Sequence, residues 1–194
     1  ADAASRVFAQ FPDVEILVNN VGAYQQKAFA ETTDADWISL FQLNVMSGVR
    51  LSRLYLPGML KRNWGRILFI SSESGLQIPA DCIHYGMTKA AQIAVARGLA
   101  ELTAGTAVTV NSILPGPTDS RAIQQFIERA EAQGESRRAL EQKFFEERRP
   151  TSLIKRFAAP DEVAALVAYV ASPLSSATNG AALRVDGGVV KSAF

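Results

Sequence analysis

The chain has 194 residues, with 20 Lys and Arg against 19 Asp and Glu; 48% of the residues are hydrophobic and 20% are charged. This length and composition predict one folded domain with an ample core and exclude collagen-like, low-complexity and coiled-coil classes. A net charge of +1 gives no general attraction to nucleic acid or to an anionic membrane, and no run approaches the roughly 20 apolar residues of a bilayer span.

The sequence holds a single cysteine, Cys82, and a single histidine, His84. One cysteine cannot form an internal disulfide, and this set of residues offers no metal ligand cluster, so no metal site and a reducing cytoplasmic setting are expected. Cys82 is expected to be a small apolar filler, and His84 is expected at the surface rather than facing a substrate.

Short apolar segments of period two alternate with longer segments of helical period, which is typical of a parallel sheet covered by helices. Thr33 and Asp36 approximate a capping box, and Pro57 should kink or divide the helix that follows. In chain order the predicted elements are the end of a helix at 3–10, a strand at 14–19, a helix at 33–61, a strand at 66–71, a helix at 84–103, a strand at 107–114, solvated helices within 121–149, a helix at 160–171 and a strand at 181–186.

Polar or backbone-exposing residues follow each of the first three predicted strands. Asn20 and Gly22 follow the first, Ser71 and Ser72 the second, and residues 115–118 the third. Because ligands bind outside the carboxyl ends of the strands in an open parallel sheet, these residues are candidates for a binding site.

Tyr85 and Lys89 begin the next helix, four residues apart and therefore on one face. An ammonium there should favour the phenolate and lower the pKa of Tyr85 below its usual value of about 10, which provides a proton donor or acceptor near neutral pH. With Ser72 also 13 residues before Tyr85, the spacing is expected by chance in only about 0.01 of such chains.

These motifs, together with their order and spacing, resemble the classical short-chain dehydrogenase/reductase family over essentially the whole chain. The resemblance implies a three-layer, doubly wound parallel sheet of Rossmann-like α/β type and an oxidoreductase that uses NAD or NADP on a small alcohol or carbonyl substrate. The motifs are Asn19-Asn20-Val21-Gly22, Asn44, Ser71-Ser72, Tyr85-Gly-Met-Thr-Lys89, Asn111-Ser-Ile-Leu-Pro115-Gly116 and Asp186-Gly187-Gly188.

The resemblance assigns catalytic roles to four residues. Tyr85 is the general acid in reduction and the base in oxidation, and Ser72 holds the substrate oxygen by a hydrogen bond. Lys89 binds the nicotinamide ribose and lowers the pKa of Tyr85, and Asn44 supports a water-linked proton relay to Lys89.

The same resemblance assigns a set of cofactor contacts. The family often carries a Thr five residues after the Pro that follows the third predicted strand, but here that position is Ser120 while the Thr is residue 118, so either hydroxyl could serve. The expected cofactor-binding residues are Asn20, Gly22, Tyr85, Lys89, Pro115, Gly116 and Thr118.

One departure concerns the beginning of the fold. The family starts with a strand and a Gly-rich turn that binds the pyrophosphate, whereas the first Gly here is residue 22. We therefore expect about 60 residues, comprising the N-terminal strands, to be absent from this chain. Residues 1–194 would then be the C-terminal part of the fold as a single domain, with strand 14–19 as a bare edge and the choice of NAD or NADP unreadable.

Two further expectations concern the substrate and the assembly. Residues 117–157 are interpreted as a helical substrate lid, and Arg148, Arg149, Lys155 and Arg156 within it as an ordinary solvated face. The small residues of helix 84–103 suggest a homodimer or homotetramer. The alternative to an active enzyme is an N-terminally truncated or cleaved fragment that does not bind the cofactor and acts only through protein contacts.

Overall fold

The computed structural model describes residues 2–193 and orders the helices and strands as the sequence predicts. None of the helices in this range combines the length and hydropathy needed to cross a bilayer. The helices are α1 (Asp2–Gln10), α2 (Asp34–Phe41), α3 (Ser47–Lys61), α4 (Ile83–Glu101), α5 (Arg121–Glu131), α6 (Arg137–Glu147) and α7 (Pro160–Ala171). The strands are β1 (Ile16–Asn19), β2 (Gly65–Ile70), β3 (Val108–Pro115) and β4 (Ala182–Val185).

The strands form one parallel sheet whose spatial order, β1-β2-β3-β4, is also the chain order. Across the sheet the register aligns Asn19 with Phe69, Phe69 with Ser112, and Ser112 with Ala182. Parallel neighbours need long crossovers, and helices provide them here. All carboxyl ends therefore lie along one edge of the sheet, which is where the candidate residues follow the strands.

Helices cover both faces of the sheet and give it three layers. On one face Met59 from α3 packs in a core with Ile67 and Phe69 of β2. The intervening Leu68 points the other way and packs against Val170 of α7. This alternation follows from the period of two in a strand, and it confirms the predicted three-layer parallel α/β architecture.

The predicted helix at 33–61 is interrupted, but not where the sequence suggested. The capping box is confirmed, since the Asp36 amide donates to Thr33 Oγ1 and the Thr33 amide donates to Asp36 Oδ2. The break is a π-helical turn at Gln42–Met46 between α2 and α3. Pro57 lies inside α3, which continues past it, so the expected division there is wrong. Burial of neighbours such as Met59, which is 0% exposed, offsets the one helical hydrogen bond that Pro cannot make.

Strand β1 lies at an edge. In the part of the chain that the structure describes, β1 pairs with β2 alone, and its Ile16 and Val18 are 45% and 39% exposed. This matches the expected bare edge. An exposed edge does not by itself show that N-terminal strands and a Gly-rich turn are missing, so that further expectation is not supported here and stays a prediction.

Helices α5 and α6 stand outside the sheet and carry a small core of their own. Ile127, Phe145 and Phe157 are buried against one another, with the Phe145 and Phe157 ring centres 5.3 Å apart. At the base of this segment the Ala158 amide donates to the Pro117 carbonyl. The helices predicted at 121–149 are therefore present, but they enclose apolar side chains in addition to presenting charge to solvent.

Candidate active site

At the carboxyl ends of the strands, several of the residues proposed from sequence line two adjoining cavities, whereas Gly22, Asn44 and Lys89 line neither. One, of about 320 Å³, is lined by Ser72, Tyr85 and Gly116. The other, of about 520 Å³, is lined by Asn20 and Pro115 together with apolar residues of β2 and α7. Residues separated by up to 96 positions in sequence thus surround one site, because each follows a parallel strand or begins the helix beside it.

Thr118 and Ser120 line both cavities. The Thr118 hydroxyl donates to the Gly116 carbonyl at 2.9 Å. Ser120 stands at the start of α5 and makes no side-chain capping bond to that helix. The structure therefore places both hydroxyls where the two cavities meet.

Asn44 lies in the π-helical turn, is 0% exposed, and holds the loop that follows β1. Its Oδ1 accepts from the Ala23 amide at 2.8 Å, and its Nδ2 donates to the Ala23 carbonyl at 3.0 Å. Nδ2 also donates to Thr88 Oγ1, whose hydroxyl donates to the Tyr85 carbonyl. The Asn44 side chain thus joins the β1 loop to the first turns of α4.

The link from Asn44 to Lys89 passes through Gln92, a residue that the sequence analysis did not single out. Gln92 is 1% exposed; its Nε2 donates to the Asn44 carbonyl at 2.7 Å, and its Oε1 accepts from Lys89 Nζ at 3.1 Å. A side-chain amide therefore joins Lys89 to the main chain at Asn44, and the water-linked relay expected there stays a prediction. The signal in the sequence was a polar residue three positions after Lys89, on the buried face of a helix.

Lys89 Nζ is held at the end of β2. Besides Gln92 it bonds to the Ile70 carbonyl at 2.9 Å, so two of its three donors are used within the protein. Burial lowers the pKa of Lys89 to about 8. The ammonium is 5.6 Å from the centre of the Tyr85 ring.

The expectation that Lys89 lowers the pKa of Tyr85 is wrong in this structure. Burial raises the pKa of Tyr85 above its usual value of about 10, the charge of Glu73 raises it further, and only a hydrogen bond with Ser72 opposes this shift. Sequence reasoning counted the nearby charge but not the loss of water around the phenol. Tyr24 adds to this loss by packing edge-on against Tyr85 at 5.1 Å.

Ser72 makes contacts that the sequence did not reveal. Its hydroxyl donates to Oε2 of the adjacent Glu73 at 2.6 Å and accepts from the Ser74 amide at 3.1 Å. Glu73 is 3% exposed, and its Oε1 accepts from Arg149 Nε at 2.7 Å. The expectation of an ordinary solvated face is therefore wrong for Arg149. The sequence could not reveal this contact, because Glu73 and Arg149 are 76 positions apart along the chain.

Other arginines behave as the sequence suggested. Arg156 pairs with Glu162 at 2.7 Å, and both side chains are about half exposed, at 50% and 45%. Arg148 lines the smaller cavity and pairs with Asp81, with the two side chains 36% and 42% exposed.

Cys82 and His84 both lie in the interior. Cys82 is 0% exposed, which confirms it as a small filler, and burial raises the pKa of its thiol to about 11. The surface position expected for His84 is wrong, because this side chain is 1% exposed and packs against Trp37. Within residues 2–193, no group of three His, Cys, Asp or Glu side chains is placed to hold a metal ion.

The residues at the strand ends fit a nicotinamide nucleotide. A Cβ added at Gly22 would stand 3.5 Å from Lys89 Nζ, so the glycine leaves an opening at the ammonium where a side chain would cover it. The remaining Lys89 donor and the Thr118 hydroxyl suit sugar and amide groups, and Ile70 and Pro115 provide apolar walls for a flat ring. At position 116 glycine is needed for close packing of the backbone, since a Cβ there would lie 2.5 Å from the Asp186 carbonyl oxygen.

A third cavity, of about 480 Å³, extends the site between α5 and α6. It shares Tyr24, Ile123 and Phe144 with the cavity that holds Tyr85, and it continues to Phe126 and Leu140. Its walls are mainly apolar. The arrangement offers hydroxyl groups at one end and space for an apolar substituent at the other.

The chain is similar in sequence to known proteins over most of its length. The sequence profile of a family described as enoyl-(acyl carrier protein) reductase matches residues 1–190. Two oxidoreductases of Bacillus subtilis (strain 168), YvaG and YvrD, both described as uncharacterized, are similar to this chain. YvaG is 41% identical over 194 residues, which is 100% of this chain and 74% of YvaG. YvrD is 48% identical over 181 residues, which is 93% of this chain and 69% of YvrD.

Solved structures share the fold as well. The L-sorbose reductase of Gluconobacter frateurii, in a structure complexed with NADPH and L-sorbose, superposes with a TM-score of 0.87 at 31% identity. The match covers 98% of this chain and 72% of the reductase.

Proposed function

Because the chain belongs to the short-chain dehydrogenase/reductase family and uses NAD or NADP, we propose that it transfers a hydride between the nicotinamide and a secondary alcohol or ketone, with Tyr85 as the acid or base. The single observation that carries this proposal is the cavity shared by Ser72 and Tyr85, with Lys89 Nζ 5.6 Å from the centre of the Tyr85 ring. Bound NAD or NADP supplies the hydride acceptor or donor.

In this proposal the substrate oxygen lies between two hydroxyls. Tyr85 donates its proton to that oxygen in reduction and removes it in oxidation. Ser72 donates a second hydrogen bond, which stabilises the negative charge that develops on the oxygen. Burial raises the pKa of Tyr85 above its usual value, so at neutral pH the phenol carries the proton that reduction requires.

Lys89 and Asn44 have supporting roles. The third N–H of the Lys89 ammonium would donate to the ribose hydroxyls of the cofactor. The bonds that Lys89 makes to Ile70 and Gln92 hold the ammonium at the end of β2. Asn44 supports the site through its side-chain bonds to the Ala23 loop and through its main-chain carbonyl, which accepts from Gln92. Asn20, Gly22, Pro115 and Gly116 would line the cofactor site, and the Thr118 hydroxyl would bond to the nicotinamide amide.

The segment 117–157 serves as the substrate lid. Its apolar cavity between α5 and α6 receives a hydrocarbon substituent of the alcohol or ketone, since Phe126, Phe144 and Leu140 offer contact without polar partners. We therefore expect ketones with an extended alkyl chain to be better substrates than their shortest relatives.

We further propose a homodimer or homotetramer that uses the exposed side of α4. Gly98 on this helix has no neighbouring atom within 4 Å of where a Cβ would be, so a second helix could approach closely there. The oligomeric state is measured by light scattering coupled to size-exclusion chromatography. A monomer at micromolar concentration would contradict this part of the proposal.

The test is an activity screen at 340 nm with NADH and with NADPH. The substrates are L-sorbose, ethyl acetoacetate, 2-butanone and 2-octanone, and the variants are Tyr85→Phe and Tyr169→Phe. Tyr85→Phe is expected to lose at least about 100-fold in kcat, because it keeps the ring and removes the proton. Tyr169→Phe is the matched control, since Tyr169 is 47% exposed on α7.

Two outcomes would overturn the proposal. One is turnover by Tyr85→Phe equal to that of Tyr169→Phe. The other is the absence of any oxidation or reduction across an extended panel of secondary alcohols and ketones.

A further inference from the structure

Glu73 is a buried carboxylate directly beside the proposed substrate oxygen site. Its Oε2 accepts from the hydroxyls of Ser72 and Ser74, both at 2.6 Å, and its Oε1 accepts from Arg149 Nε at 2.7 Å. The Glu73 side chain is 4% exposed and that of Arg149 is 16% exposed. None of the proposed catalytic steps uses this pair.

A carboxylate at this place competes for the proton of Ser72. A serine hydroxyl has one proton to donate, and in the structure Ser72 donates it to Glu73. The same oxygen accepts from the Ser74 amide, which fixes its position. To bind the substrate oxygen, the hydroxyl must rotate away from Glu73 while the oxygen stays in place.

Arg149 affects the free-energy cost of breaking the hydrogen bond from Ser72 to Glu73. A lone buried carboxylate holds a hydroxyl donor strongly, because a charge away from water needs its partners. Arg149 neutralises Glu73 and supplies a charge-assisted bond, so the carboxylate can lose the Ser72 bond and keep those to Ser74 and Arg149.

Arg149 belongs to the segment 117–157 and is itself held in place. Its Nη1 donates to the Arg148 carbonyl at 2.8 Å, at the end of α6. In this arrangement the guanidinium reaches Glu73 in the loop after β2. The pair therefore connects the seating of the segment to the hydroxyl beside the substrate.

Building on the proposed role of Ser72, we propose that Arg149 and Glu73 are positioning residues: Arg149 neutralises Glu73 and so lets the Ser72 hydroxyl turn from Glu73 to the substrate oxygen when the substrate binds. The chemistry is then available only with the segment 117–157 in place.

The experiment is a double-mutant cycle of Glu73→Gln, Arg149→Gln and Glu73→Gln/Arg149→Gln, with Arg149→Lys as a variant that keeps the charge. The matched control is Arg97→Gln, which breaks an exposed pair with Glu101 on α4. Each variant is measured for kcat and KM with its preferred ketone, for the pH profile of alcohol oxidation, and for Tm.

We expect Arg149→Gln to lower kcat about tenfold or more while KM changes little, since the Ser72 proton is retained by Glu73. The double variant should recover to within a few-fold of Glu73→Gln, because no carboxylate remains to hold the hydroxyl. Arg149→Lys should retain most of the activity. Arg149→Gln should also lower Tm by about 5 °C, with recovery in the double variant.

The pH profile separates this role from a merely structural one. The groups facing Tyr85 are Glu73, Cys82 and Tyr24, together with Lys89. Oxidation needs Tyr85 deprotonated, so the uncompensated charge of Glu73 in Arg149→Gln should move the acidic limb upward by about one pH unit. The limb should return in the double variant.

Three results would overturn the inference: wild-type kcat in Arg149→Gln, a double variant no better than Arg149→Gln, or a loss confined to KM. Should Arg149→Gln fail to fold, Glu73→Gln decides: without the charge that raises the pKa of Tyr85 its acidic limb should move downward, and a wild-type pH profile would overturn the inference. In each case Tyr85→Phe is measured alongside. An inactive Tyr85→Phe leaves the proposed function in place, whereas an active one overturns the function itself.

Discussion

The two sides of the candidate site are built from different interactions. On the side of α4, Asn44, Thr88, Lys89 and Gln92 are 0 to 6% exposed and are joined to each other and to main-chain groups by hydrogen bonds. On the side of the segment 117–157, several contacts are ion pairs with substantial exposure, such as Arg156 with Glu162. The first side is fixed by buried hydrogen bonds, whereas the second combines a small apolar core with ion pairs that water can replace.

The α4 side, which carries the proposed acid or base, is held rigidly, whereas the segment proposed to receive the substrate is held less tightly. A buried polar group with its partner removed is costly, so the α4 side has few alternative arrangements. Exposed ion pairs contribute little to stability and let a segment move or vary. The exception is Arg149, whose contact with buried Glu73 extends the first kind of interaction across to the second side.

The largest expected effect on stability concerns Lys89. Its pKa in the folded chain is about 8 against 10.5 for the unfolded chain, so between these values the unfolded state binds more protons and the free energy of unfolding rises with pH. Relative to Lys89→Met, the wild type should gain about 3 kcal/mol from pH 8 to pH 10.5. Urea unfolding at several pH values, without added cofactor, measures this gain. If the difference in the free energy of unfolding between the two proteins stays constant with pH, the pKa of Lys89 is not lowered in the folded chain.

The next effect concerns the network around Asn44. Asn44→Ala removes the partners of the Ala23 amide and carbonyl and of Thr88, and should lower the free energy of unfolding by about 2 kcal/mol. Gln42→Ala, at an exposed position of the same π-helical turn, is the control. Equal losses in the two variants would mean that the turn, rather than the amide network, provides the stability.

A smaller effect is expected for Phe126, on the side of α5. Phe126 is 58% exposed and lines the apolar cavity, so Phe126→Ala should leave Tm nearly unchanged and raise KM for 2-octanone about tenfold. KM for 2-butanone should change much less. Phe29→Ala, at a side chain 64% exposed outside this cavity, is the control. Equal effects on the two ketones would contradict the assignment of the cavity to the alkyl chain.

The smallest effect is expected for Arg156. Its pair with Glu162 is exposed, so Arg156→Gln should leave both Tm and kcat within experimental error. Thermal unfolding at low and high salt measures this. A loss comparable to that of Arg149→Gln would remove the distinction between buried and exposed contacts on this side of the site.

Much of the α4 side could be predicted from sequence. Strand periodicity located β2 and β3, and polar residues after their ends located Ser72 and Pro115 near Tyr85 and Lys89. Such residues are predictable because parallel strands bring their carboxyl ends together whatever the loops contain.

The rest depended on contacts that sequence does not display. The Glu73 to Arg149 pair joins residues 76 positions apart, and Gln92 was one polar residue among many until its partners were known. The shift in the pKa of Tyr85 was assigned the wrong direction because desolvation depends on what surrounds the phenol, including Tyr24. The position of Pro57 within α3 likewise reflects tertiary packing rather than local preference.

The most direct test is calorimetric titration of the purified 194-residue chain with NADH and with NADPH. The central claim places a nicotinamide nucleotide at the strand ends, beside Tyr85 and against Lys89. We expect saturable binding of at least one nucleotide, weakened about tenfold or more in Lys89→Met and changed little in the control Tyr169→Phe. Absence of saturable binding, or equal affinity in Lys89→Met, would contradict the claim and favour a chain that acts through protein contacts.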